Sequence, residues 1–181
     1  MELKKLNKWS KQRGTSLIEL MIASLVLVVG VLACAALIPI SIGANSRNRQ
    51  QSNSTVIAQM VMEKIMSVPA GTSPVLVVSD CVPTANNVNT FGTAGAGSGA
   101  TLLPSGDVNF NVAAPTGYGM LYTACGPTGG QSTYDVRWNI QAPANSFVKL
   151  ITVSAKLKGS GNDLKYFSLP VTIRSMAGQG S

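Results

Sequence analysis

Between Leu20 and Ile42 the chain carries no Asp, Glu, Lys or Arg over 23 consecutive residues. At about 1.5 Å of rise per residue, a helix of that length crosses a hydrocarbon core of roughly 30 Å. The run therefore reads as a membrane span, and it limits the fold more than any other feature. Lys4, Lys5, Lys8, Lys11 and Arg13 crowd its N-terminal side against a single Glu2. By the positive-inside rule the first residues stay in the cytoplasm and everything after Ile42 is exported. A cleaved secretory signal also begins basic and turns apolar, but its apolar region runs only about 7 to 15 residues. Here the apolar run is longer, and residues 43–67 continue as a helix.

Charge and composition exclude several function classes. The formal net charge is +7, but residues 1–14 supply +4 of it, and the remaining +3 is spread thinly. A nucleic-acid surface needs a clustered basic stripe, which is not present here. The chain has no histidine, and beyond residue 14 its carboxylates are Glu19, Glu63, Asp80, Asp107, Asp135 and Asp163. No sequence-close acid/base pair or Cys/His or Ser/His constellation results. The Gly/Ala/Ser-rich stretch lacks the Lys-Ser/Thr and the strand-to-helix setting of a phosphate loop. Three cysteines without histidine make a poor metal set. No enzyme activity, metal or cofactor is expected.

The junction before the apolar run is more specific. It reads Lys11-Gln12-Arg13-Gly14-Thr15-Ser16-Leu17-Ile18-Glu19-Leu20, with a lone carboxylate at the threshold of the membrane segment. A carboxylate near the end of an apolar helix costs about 2 to 4 kcal/mol in lipid, less at the interface, so it calls for a partner. Ser16 and Glu19 also have the Ser-x-x-Glu spacing of a capping box, in which Glu19 satisfies amides at the helix start. Both readings stand at this point.

These residues resemble the cleavage and methylation signature of type IV prepilins and of type II secretion pseudopilins. The likeness combines a short basic leader, the glycine at Gly14, a glutamate fifth after the cut, and an uninterrupted apolar helix. It covers about thirty residues. It implies cleavage between Gly14 and Thr15 by a membrane-embedded prepilin peptidase, which also N-methylates the new terminus at Thr15. It further implies pairing of Glu19 with the α-amino group of a neighbouring subunit. Major pilins usually begin with Phe where this chain has Thr15, a departure that bears on methylation and favours a minor subunit. The resemblance places the chain in a bacterial inner membrane as a single-pass protein, N-terminus cytoplasmic and C-terminal domain periplasmic, and afterwards in a pilus or pseudopilus. Its partners would then be the peptidase, other pilin subunits and the inner-membrane assembly machinery.

Gly30 and Pro39 interrupt the apolar helix, and an internal proline removes one backbone bond and often kinks the helix. The resemblance implies local loosening there on assembly; a kinked span without further role is the other reading. The chain turns polar over residues 45–53, then Val56, Ile57, Met60, Val61, Ile65 and Val68 recur at helical spacing. Pro69 and Gly71 end the helix. Downstream, Val75 to Val78 reads as a short strand. Tyr134, Val136, Trp138 and Ile140 alternate with polar residues, as do Ile151, Val153, Ala155 and Leu157, giving half-buried strands. Residues 159–162 turn into a hairpin arm through Phe167, Leu169, Val171 and Ile173, whose Pro170 indicates an edge. Residues 84–106 read as a long surface loop. Arg137 and Trp138, adjacent in a strand, are expected on opposite faces.

The expected organisation is a leader over 1–14, a membrane and filament-core helix over 15–43, its amphipathic continuation over 44–68 and an exported β-rich domain over 69–181. The fold class is α+β, pilin-like, with the long helix packed on an antiparallel sheet. Cys34 lies in the span; Cys81 and Cys125 are exported, where an oxidising compartment permits a disulfide. Tyr134-Asp135-Val136-Arg137-Trp138 followed by Lys149 to Val153 resembles, more weakly, minor pilins of the pilus-modification branch. A minor pilin is the leading expectation. The alternatives are a type II secretion pseudopilin, a membrane-anchored binding domain, and a DNA-uptake receptor.

Overall fold

The structure, a computed structural model, describes residues 16–69, 74–82, 85–126, 130–142, 148–159 and 169–178. The chain divides into two compact units, Met1–Ala44 and Asn45–Ser181. One helix, α1 (Leu17–Met66), contributes to both. The expected α+β class is present: one long N-terminal helix, apolar in its first half, and antiparallel sheets.

In the first unit the Ser16 carbonyl accepts the amides of Glu19 (2.9 Å) and Leu20 (3.1 Å), so Ser16 caps the helix through its main chain. The helix continues through Gly30 and Pro39 without a break. It is long and apolar enough to cross a membrane, and its most apolar window is wholly exposed. Ser24 donates to the Met21 carbonyl (2.8 Å) and Ser41 to that of Leu37 (2.9 Å). Each hydroxyl is thus satisfied within the helix, as an apolar surround requires.

In the second unit the helix buries Ser54, Ile57, Ala58, Val61, Met62 and Ile65. This stripe lies in one core with Tyr134, Val136, Trp138 and Ile140 of β5 (Gln131–Gln141) and Ile151, Val153, Ala155 and Leu157 of β6 (Val148–Leu157). The helix face therefore covers the apolar side of the sheet. The expected stripe holds except at Val56, which is 60% exposed, while Ala58 and Met62 are buried in its stead. The regular helix bonds end with Ser67 donating to the Glu63 carbonyl, and Val68, just before Pro69, closes a tighter last turn by donating to that of Ile65 (3.3 Å).

The larger sheet is antiparallel throughout. β6 lies between β5 and β7 (Val171–Gly178), and the far side of β5 is shared by β3 (Ser98–Gly99) and β4 (Gly119–Cys125). β7 is an edge strand, and Pro170 sits just before its first paired residue, where no ladder donor is needed. Most of the turn expected over 159–162, and Phe167, lie outside the described residues. A separate hairpin pairs β1 (Val75–Ser79) with β2 (Ala85–Asn89).

Two expectations need correction. Residues 84–106 are not simply a loop, since they contain β2 and β3 and bury Val88, Thr90 and Ala100. The period is hidden because β2 reads Ala-Asn-Asn-Val-Asn, and Val88 is its one large apolar anchor. Gly99 has φ +116 and lies against the Trp138 carbonyl, a position where a Cβ would collide with that backbone. Nor are β5 and β6 half-buried: Asn139, Thr152 and Ser154, on the face away from the helix, are buried too.

That second face is covered by a strap formed from residues 93–112. Arg137 donates to the carbonyls of Val112 (2.5 Å) and Asn109 (3.4 Å), and Asn139 to those of Ala96 (3.2 Å) and Ala100 (2.9 Å). Gln141 donates to the Gly95 carbonyl, and Arg174 of β7 to that of Ser105 and to Asp107. Arg137 and Trp138 do face opposite ways, but the arginine side chain is only 14% exposed. Asp135 pairs with it at 2.7 Å and Phe110 of the strap lies 4.8 Å from its guanidinium, so it is a fastening and not a free surface cation.

Candidate functional site

Of the residues singled out by the sequence, Gly14 and Thr15 lie outside the described residues. Glu19 stands in the first turn of α1, where a carboxylate complements the positive end of the helix dipole. Its side chain and that of Ser16 are exposed, and among the described residues neither forms the reciprocal side-chain bonds of a capping box. The cap is made by the main chain alone. Gly30 is open to its surroundings, with no atom within 4 Å of where a Cβ would stand. Pro39 leaves the Ala35 carbonyl without its usual donor, the local weakness an internal proline brings.

In the second unit the expected disulfide is present. Cys81 and Cys125 are joined with Cα atoms 5.9 Å apart and 44 residues of sequence separation. Cys81 follows β1 and Cys125 closes β4, so the bond fastens the small hairpin to the larger sheet. Two hydrogen bonds flank it: the Cys81 amide donates to the Thr123 carbonyl (3.3 Å), and the Thr123 amide to Asp80 (3.2 Å). Cys34 is a free, exposed thiol on α1.

Sequence reasoning did not single out Lys149. It is buried on β6, and its Nζ donates to the carbonyls of Pro69 and Thr90, both at 3.3 Å. Thr90 in turn donates to the Pro74 carbonyl (2.7 Å). One ammonium thereby ties the helix exit and the end of β2 to the sheet. Burial lowers its pKa from the ordinary 10.5. The charged form carries a desolvation penalty in the folded state, largest below the lowered pKa and relieved as pH rises to 10.5. We therefore expect wild type to gain stability relative to Lys149→Met as pH is raised through that window. Paired thermal melts of the two proteins would show this, and a pH-independent difference would count against it.

Among the described residues no group of three or more His, Cys, Asp or Glu side chains is placed to hold a metal ion. Comparison with known proteins finds no matching family model, no matching curated protein and no matching solved structure.

Proposed function

We propose that this chain is a minor type IV pilin-like subunit, released from its basic leader between Gly14 and Thr15 and drawn from the inner membrane into a filament. The observation that carries the reading is the join between sequence and fold. A glycine-ended basic leader stands just before one continuous helix, Leu17–Met66, whose first turn carries Glu19. That helix is apolar and exposed over its first half, and its second half buries a stripe against an antiparallel sheet.

On this reading the lipid bilayer solvates the first half of α1 before assembly, and the corresponding helices of neighbouring subunits replace the lipid afterwards. Glu19 then pairs with the α-amino group of Thr15 on an adjacent subunit. That amine exists only after cleavage, so leader removal switches an inert precursor to an assembling one. Neither charge is cheap to bury alone, and breaking one side of a buried pair typically costs about 3 to 5 kcal/mol. The pair therefore selects register as well as holding subunits together. Gly30 and Pro39 mark the stretch where the helix gives way as subunits pack, since fewer backbone bonds must be broken there.

Processing is the first test. Wild-type protein from cells with an active prepilin peptidase should begin at Thr15 by N-terminal sequencing and intact mass. Gly14→Val should leave a membrane-bound precursor that keeps its leader. A wild-type chain that stably retains Met1 in such cells would overturn the proposal.

A further inference from the structure

The sheets of the second unit end in two open edges. Among the described residues β1 pairs with β2 alone and β7 with β6 alone, so each leaves one side without a partner strand. The hydrogen bonds show which main-chain groups face those sides. The Asn89 amide donates to the Gly117 carbonyl (2.9 Å) and the Asn89 carbonyl accepts the Trp138 indole N–H (3.0 Å), so Asn89 turns its main chain away from β1. Opposed residues of an antiparallel pair alternate between exchanging bonds and both pointing outward. Val75, opposite Asn89, thus points its amide and carbonyl out of the edge, and Val77 and Ser79 follow in step. Trp138 directs its amide to the Tyr118 carbonyl and its carbonyl to the Ala100 amide, away from β6. The same alternation, carried across β6, leaves the main chains of Thr172, Arg174 and Met176 pointing out of β7.

The two edges match each other in direction and in face. The Cys81 amide donates to the Thr123 carbonyl and the Asn89 amide to that of Gly117, so β2 runs alongside β4 in the opposite direction. Through the antiparallel order β4, β5, β6, β7, strand β1 then runs opposite to β7. Leu76 and Val78 of β1 and Ile173 and Ala177 of β7 turn toward the core. Val75 and Val77 turn away from it, as does Met176, and they are 57%, 54% and 73% exposed. Neither strand contains a lysine or a proline, which commonly keep edges apart. Arg174, the one charge on either, is held by Asp107 and the Ser105 carbonyl. β1 and β2 alone make a two-stranded sheet, which a further strand would reinforce.

We propose that β1 of one copy of this chain pairs antiparallel with β7 of the next, joining copies head to tail through a continuous sheet. A row of alternating amides and carbonyls is matched by another extended main chain. This chain carries such a partner itself, with opposite direction, matching face and no like charges opposed. Core-facing side chains then meet core-facing ones, and Val75 or Val77 comes beside Met176, an apolar cross-strand pair. Because the two edges differ, each copy keeps one of them open, and the contact propagates instead of closing. β1 is only five residues long, so the contact is too small to hold a dimer in dilute solution. On the reading of α1 as a membrane span, copies in one membrane stand the same way up, as this pairing requires, and at high effective concentration. The proposal rests on that anchor and not on leader cleavage.

The test is cysteine cross-linking of the full chain in membranes from cells without prepilin peptidase, so that its outcome is independent of filament assembly. Cys34→Ser removes the free thiol. In that background, chains with Val75→Cys or Val77→Cys are co-expressed with chains carrying Met176→Cys and oxidised with copper phenanthroline. All three positions are exposed, so the substitutions leave the fold in place. Opposed Cα atoms in a bonded antiparallel pair lie about 5.5 Å apart, within reach of a disulfide. We expect a cross-linked dimer in at least one of the two mixtures, according to which valine faces Met176. None should form in any variant alone, or when Met176→Cys is paired with Leu121→Cys, an exposed position on β4. Proline at the other valine, Val77→Pro beside Val75→Cys or Val75→Pro beside Val77→Cys, removes an outward amide and spares the bonds to β2. It should cut the cross-link several-fold. No cross-link in either mixture, an equal one with Leu121→Cys, or one that proline leaves unchanged would overturn the proposal. Dimers in a single-variant sample would do so too, since like edges would then be pairing.

Discussion

Glu19→Gln should be inserted, cleaved after Gly14 and folded normally, yet be depleted several-fold from sheared filaments relative to wild type. The substitution keeps the size of the side chain and its ability to accept a hydrogen bond, so any capping by Glu19 would survive it. The structure shows the helix start bonded through the Ser16 carbonyl, which the substitution does not touch. What the variant loses is the counter-charge. In a bundle of apolar helices an α-ammonium facing glutamine is left partly unpaired, at a cost of about 3 to 5 kcal/mol per contact. Co-expression with wild type makes the measurement internal: both proteins should reach the membrane equally, and mass spectrometry of purified filaments should find the variant under-represented. Equal recovery in filaments would remove the pairing role and leave Glu19 as a dipole-complementing residue of the first turn. Restoration of uptake by Glu19→Asp would be informative in the other direction, since it keeps the charge on a shorter arm.

Removing the disulfide should have the largest effect on the stability of the second unit. Cross-linking residues 44 apart restricts the unfolded chain by about 4 kcal/mol in the chain-entropy estimate. For a domain of this size, Cys81→Ser with Cys125→Ser should lower the melting temperature on the order of 10–20 °C. The loss should be local in its first consequences. β1 and β2 pair only with each other, and hydrogen bonds at Cys81 and Asp80 are the other links shown from the end of β1 to β4. Hydrogen exchange over residues 75–89 should therefore accelerate well before exchange in β5 and β6. Non-reducing peptide mapping of wild type should recover Cys81 joined to Cys125. A double-serine variant that melts within a degree or two of wild type would contradict the assigned role.

Much of this was legible in the sequence where one physical signal dominated. The span was set by charge avoidance, and β5 and β6 by strict alternation of large apolar residues. β7 was set by alternation plus a proline at its start, and the cysteine pair by the expected compartment. The misses share a cause as well. β4 carries Met120, Leu121 and Tyr122 in succession, so an apolar residue falls in either register and no period appears; Leu121 is 44% exposed. β2 is mostly asparagine and is held by its pairing with β1. Lys149 falls in phase with Ile151, Val153 and Ala155 on the inward side of β6, but a lysine gives no apolar signal, and only the fold shows it buried against two carbonyls. The polar stretch at residues 45–53 reads as solvated helix, because nothing local reveals that β4 and β5 close a cleft over Arg49 and Asn53. The junction at Gly14 to Glu19 is the reverse case: its meaning is carried by order along the chain, and the fold adds the helix that follows.

The strap has a consequence for how this protein can change over time. Six of its fastenings run from side chains of the sheet to main-chain carbonyls of Gly95, Ala96, Ala100, Ser105, Asn109 and Val112. A carbonyl is the same group whatever residue bears it. The course of the strap is thus written largely in Arg137, Asn139, Gln141 and Arg174; within it Gly97, Gly99 and Gly106 are held to glycine and Ala100 and Val108 are buried, while exposed positions such as Ala94 and Thr101 are open to change. Substitutions at those exposed positions are expected to leave the domain intact. An epitope tag spliced into exposed positions of the strap, with those four donors untouched, would exploit the same tolerance.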